Sequence, residues 1–207
     1  MELEPLRQIG RRFAFNVERV SHLLLVFDAI KNNKNLKQEY QSDVLRSAVV
    51  LLHATLEDLL REMIRIKVSQ DPIGLLQHLE FTFTSGGSPS KPKISVEEIT
   101  QFRGMTVDDL IERSIADHLS KRSFNHQADV VSAIKAAGLE PKDYAGFFAN
   151  LSESIDRRHR VVHEGDRVSY GATSHGRRRP LAEGDVRRWL TAVSDFGKLM
   201  LKKATPS

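Results

Sequence analysis

Arginine and histidine crowd one short stretch of this chain: Arg157, Arg158, His159, Arg160 and His163. Together these residue types suit phosphodiester chemistry. A histidine can take or give a proton near neutral pH. Beside a ribose 2′-hydroxyl it can remove the proton, so that the oxygen attacks the adjacent phosphorus. A guanidinium can grip the phosphate with paired donors and stabilise its growing negative charge. Neither step needs a metal. Arg158 and His163 form the pair, separated by four residues, with His163 able to act as base or as acid. His159 supplies a second acid–base group or orients phosphate. His159 and His163 also have the spacing of a helical zinc pair. The flanking arginines repel a cation, however, and no glutamate follows His159 as in metalloproteases. No metal and no other cofactor is expected.

These residues lie on a helix predicted from Pro141 to His163, with Gly165 just past its end. At about 100° per residue, Tyr144, Phe148, Ile155 and Val162 fall within roughly 60° of Leu151. Arg158 falls inside that apolar stripe, at about −20°. His159 and His163 share one flank, near roughly 80° and 120°. Arg157 and Arg160 point largely away and are expected to steer a polyanion. An arginine in an apolar stripe needs a partner. The preceding long helix offers a stripe of Arg46, Val50, His53 and Glu57. Two roles are open to Glu57: a buried partner that holds Arg158 by charge-assisted hydrogen bonds, or a local surface pair with Arg61.

The elements that must position these groups are helical. Leu3, Leu6, Phe13, Val17, Val20, Leu24 and Phe27 recur at three- and four-residue steps and predict a first helix that ends near Lys31. Ser42 or Asp43 caps a second, which carries Leu45, Val49, Leu52, Leu56, Leu59, Met63 and Ile66 and runs to about Ser69. Residues 84–95 read as a flexible loop, and Leu79–Thr84 as a short β-prone but irregular run. Thr106 caps a helix over 107–121; another begins at Asn125 and stops at Gly138. Residues 165–179 form a basic, glycine-containing loop before a final helix at 184–203. The expectation is an all-α bundle of four or five main helices with short extra helices inserted in the middle, as a single domain over 1–207.

The chain has 207 residues, a net charge of +4 and no cysteine. Disulfides, iron–sulfur clusters and thiolate zinc sites are excluded, and a reducing compartment fits. No apolar run reaches the roughly 20 residues that span a bilayer. The start Met-Glu-Leu-Glu lacks a basic region followed by an apolar one, so no signal peptide is expected and the location expected is cytoplasmic, away from membranes. Nine arginines stand between residues 157 and 188. They form either a basic surface for RNA or DNA or a solvated face without a partner. Arg157, Arg160, Arg167, Arg177, Arg178 and Arg179 are the candidates for RNA binding. No phosphate-binding glycine loop and no serine or cysteine nucleophile motif is present.

The run from Glu153 to Arg167, with Arg158-His159-Arg160-Val161-Val162-His163 at its centre, resembles the motif helix and exit of the RiboL-PSP branch of HEPN domains. In that motif an arginine is followed after four to six residues by a histidine, with a polar residue directly after the arginine. Ser42 to Glu57 is similar to the early helix of the same branch, and Ser123-Phe124 with the helix up to Gly138-Leu139 to its middle part. The resemblance covers roughly 40–200, with 80–105 unmatched. It implies a helical bundle that dimerises, with arginine and histidine of both subunits lining one cleft. It further implies metal-independent RNA cleavage in a toxin–antitoxin or antiphage setting, with an antitoxin or defence-system protein as partner. The alternative is a module that binds RNA or a nucleotide, or only dimerises, without cutting. Where asparagine or aspartate is frequent in the motif, this chain has His159.

Overall fold

The computed structural model describes residues 3–70, 100, 102–168 and 178–205. Among them run six α-helices: α1 Leu3–Ile30, α2 Gln38–Gln70, α3 Val107–Lys121, α4 Gln127–Ala136, α5 Phe148–His163 and α6 Glu183–Ala204. A 3-10 segment, Pro141–Phe147, leads into α5. The described residues contain no strand, only an isolated antiparallel bridge between Arg167 and Arg178. The architecture is all-α, as the periodicity predicts. The loop expected at 84–95 and the run Leu79–Thr84 lie outside the described residues.

The second helix organises the bundle. It packs against each of the other five. Its apolar residues, among them Leu45, Val49, Leu52, Leu56, Leu59, Leu60 and Met63, are almost wholly shielded from solvent. Burying each such side chain contributes about 2 kcal/mol. The tightest approach is at Gly197 on α6, where a side chain would collide with Phe13 of α1 and Leu59 of α2. Only glycine lets the three helices close there.

The start of α2 differs from expectation. The helix begins at Gln38, so Ser42 and Asp43 lie within it and are not caps. Their side chains turn toward Arg46 instead: Ser42 Oγ accepts from Arg46 Nη1 at 2.6 Å, and Asp43 Oδ1 lies 3.3 Å from it. The expected single helix from Pro141 to His163 is also divided. Its first seven residues wind as a 3-10 helix, which eclipses residues three apart. Tyr144 and Phe147 thereby both meet the Phe196 ring edge-on, at 5.3 and 6.0 Å. Other termini follow the local signals. Thr106 and Asp109 form a capping box on α3. Past α4, Gly138 takes a φ of +74°, and Leu139 N donates back to Ile134 O.

Candidate functional site

The arginine–histidine segment occupies the last turns of α5. His159 and His163 are exposed, and their rings lie together with centroids 4.8 Å apart. That follows from four-residue spacing on a helix. Arg158 is half-buried, as its place in the apolar stripe requires. Its Nη1 donates to Asn125 Oδ1 at 3.1 Å, in the segment that joins α3 to α4. Among the described residues Arg158 has no carboxylate partner.

Glu57 does not hold Arg158. Its Oε1 lies 3.3 Å from His53 Nε2 and accepts from the Phe124 N–H at 3.4 Å, and its Oε2 accepts from Arg61 at 3.4 Å. The Arg61 pair is therefore real, but it is no surface pair, since the Glu57 side chain is only 14% exposed. Arg61 spans from Glu57 to the Leu119 and Arg122 carbonyls. The arrangement fixes the 122–125 segment against α2. Burial raises the Glu57 pKa, but the adjacent His53 imidazole, the charge of Arg61 and the Phe124 N–H outweigh it and bring it down to about 2. His53 is itself buried, and neither its Nδ1 nor its Nε2 makes a hydrogen bond among the described residues; Nε2 meets Glu57 Oε1 as a close approach, an ion pair when the ring is protonated.

Arg157 is where the structure departs most from the helical wheel. It was expected to point outward. Instead the chain folds back after α5 and buries it. Gly165 and Asp166 both adopt left-handed backbone, with φ of +59° and +55°. Asp166 N donates to Arg160 O at 2.9 Å. The Asp166 side chain, completely shielded, accepts from Arg157 Nη2 and Arg46 Nε at 2.7 Å each. Both guanidinia also donate to the Arg179 carbonyl at 3.0 Å. Arg179 N closes the knot by donating to Asp166 O at 2.7 Å. Burial lowers the Arg157 pKa while Asp166 opposes the shift. Arg46 is thus a member of this ion-paired knot, not a neighbour of Arg158.

The remaining arginines divide. Arg178 pairs with Asp43, and Arg179 Nε donates to Arg167 O at 3.1 Å. Arg160 and Arg167 carry no ion-pair partner among the described residues. Arg177 lies outside them. A groove of about 520 Å³ opens between α2 and the end of α5, bordered by Asp43, Arg46, Val50, Val161 and Arg178. Val161 sits about 160° around the helix from His159, so the histidines face away from this groove. Among the described residues no cluster of three or more histidines, aspartates or glutamates is arranged to hold a metal. No described helix is long and apolar enough to cross a membrane.

Two groups that contact these arginines, Asn125 and Asp166, were not among the site residues expected from the sequence, where Asn125 was read only as the start of a helix. Asp166 left a faint signal, an acidic residue directly after the helix-ending Gly165 in a region dense with arginine. Asn125 left none, because its contact spans 33 residues of chain.

The site can therefore present one half-buried guanidinium with no carboxylate partner among the described residues, and two exposed imidazoles, from the last turns of a single helix. A family model described as RiboL-PSP-HEPN matches residues 13–200. No curated protein and no solved structure matches the chain.

Proposed function

The chain belongs to the RiboL-PSP-HEPN family, and from that membership and the site geometry we propose that it is a metal-independent endoribonuclease. HEPN domains are often ribonucleases and commonly bind RNA and dimerise. The observation that carries the reading is the exposed His159–His163 pair on the same helix end as Arg158, which has no carboxylate partner among the described residues. Arg158 binds the scissile phosphate. A histidine removes the 2′-hydroxyl proton, O2′ bonds to phosphorus, and the bond from phosphorus to the 5′ oxygen breaks. That oxygen leaves with a proton supplied by a protonated histidine. The products are a 2′,3′-cyclic phosphate end and a 5′-hydroxyl end. Arg160 and Arg167 draw the polyanion toward the site.

The reading extends to the assembly and its setting. A two-fold dimer doubles the arginine–histidine set and builds one composite cleft. An unrestrained ribonuclease harms its own cell, so the enzyme works as a toxin or antiphage effector restrained by an antitoxin or other partner protein. A neighbouring gene for a small antitoxin or a defence ATPase would agree with this role.

The test is cleavage of RNA in excess EDTA with end-group analysis. Wild type is expected to leave cyclic phosphate ends. His163→Ala should slow cleavage by about 10²- to 10⁴-fold while RNA binding survives. Arg158→Ala should raise KM and lower kcat. Its stability should stay close to wild type, because Glu57 keeps His53 and Arg61 as partners. Tight RNA binding with no cyclic phosphate ends would leave a non-catalytic RNA- or nucleotide-binding module instead.

A further inference from the structure

Among the described residues two buried or nearly buried carboxylates lie close to the motif helix, and each is already engaged. Asp166 is held by Arg46 and Arg157. Glu57 is held by His53, Arg61 and the Phe124 N–H. Arg158, by contrast with Arg46, Arg157 and Arg61, has no carboxylate partner among the described residues and is held by a neutral group, the amide oxygen of Asn125. A guanidinium has five N–H donors. One is used here, which leaves the fork available for a phosphate.

Asn125 is also placed firmly. Phe124 before it is fully buried between the Arg61 and Arg122 guanidinia, which lie 5.5 and 5.6 Å from its ring. After it, His126 N donates to Asp129 Oδ2 at 2.9 Å at the start of α4. The amide oxygen is thus offered from a pinned segment and not from a loose loop.

We propose that Asn125 is a positioning residue, which aims the Arg158 guanidinium through its amide oxygen while leaving the positive charge free for a phosphate of the RNA. This rests on the ribonuclease reading above. A carboxylate at position 125 would aim Arg158 equally well but would neutralise it. The two acceptors therefore separate a merely structural hydrogen bond from an electrostatic role.

The experiment compares wild type, Asn125→Asp and Asn125→Ala as full chains, measuring thermal unfolding, steady-state cleavage and RNA affinity across a salt series. Asn125→Asp is expected to unfold at or above the wild-type temperature. It should nevertheless raise KM by about tenfold, the weight of one charge-assisted hydrogen bond. Its affinity should depend on salt more weakly, by about one phosphate contact. Asn125→Ala, which frees the guanidinium without neutralising it, should lower kcat more than it raises KM. Wild-type KM and salt dependence in a folded Asn125→Asp would overturn the proposal. Should that variant not fold, an unchanged kcat in Asn125→Ala would overturn it equally. If wild type neither binds nor cuts RNA, the ribonuclease reading fails separately. Inorganic phosphate, titrated against the NMR signal of the Arg158 Nε–H, then decides the matter: Asn125→Asp must weaken the response, and an equal response sinks the role of Asn125.

Discussion

Arg157 and Arg158 are adjacent in sequence and meet opposite electrostatic fates. Arg157 is ion-paired with Asp166, which it shares with Arg46, and Arg158 is bonded to the neutral Asn125. A third outcome at this scale concerns Glu57, whose charge is spent on His53, Arg61 and the Phe124 N–H. Its folded-state pKa of about 2 lies below the ordinary 4.5. A depressed carboxylate contributes stability that is fully present above its unfolded pKa and is lost as pH falls through the folded one. The contribution should therefore fade between pH 4.5 and about 2. Within that window the slope is about 1.4 kcal/mol per pH unit. Chemical denaturation of wild type and Glu57→Gln checks this: the stability gap between them should shrink as pH drops through the window. A gap that stays constant would mean that the carboxylate is not depressed by its partners. Other carboxylates titrate in both proteins and cancel in the comparison.

Among the elements, the exit of α5 does the most to shape the site. Two left-handed residues reverse the chain, and Asp166 then ties α2, α5 and the returning backbone at Arg179 together. His163 is the last residue of α5 and stands one turn from this knot. Asp166→Asn keeps the shape of the side chain and tolerates a positive φ. The substitution removes the negative charge between two largely buried arginines. Breaking such an arrangement costs about 3–5 kcal/mol. Urea denaturation should show a loss of that order. A variant as stable as wild type would mean that the two guanidinia are compensated from elsewhere. The 3-10 segment before α5 shows the same dependence on packing, since its winding suits the shared contact of Tyr144 and Phe147 with Phe196. Periodicity alone could not separate it from α-helix, because Tyr144 and Phe148 also fit an α-helical stripe.

For the molecule as a whole, the described residues of one chain supply a motif arginine with no carboxylate partner among them and a pair of histidines. A composite cleft from two chains would place two of each around a bound RNA. Sedimentation at micromolar concentration is expected to show a dimer. Only monomer under those conditions would remove the composite cleft and leave the single-chain chemistry to stand alone. RNA affinity should also fall steeply with salt, since Arg158, Arg160 and Arg167 have no carboxylate partner among the described residues and can displace counterions. Arg157 and Arg178 contribute less than a count of arginines implies, because Asp166 and Asp43 already hold them.

The sequence by itself determined the all-α class, the ends of most helices, the Thr106 cap and the shared flank of His159 and His163. These are local consequences of a repeat of about 3.6 residues and of capping chemistry within a few positions. It also placed Arg158 inward, since an apolar stripe marks the core face of a helix whatever the partner. Only the tertiary structure decided which arginine is left without a carboxylate partner among the described residues. The deciding contacts join residues 33 and 120 positions apart, Asn125 with Arg158 and Arg46 with Asp166. No periodic pattern encodes such pairings. They follow from where helix packing brings the Asn125 amide and one left-handed turn brings the Asp166 carboxylate, which pairs with the arginines it reaches first.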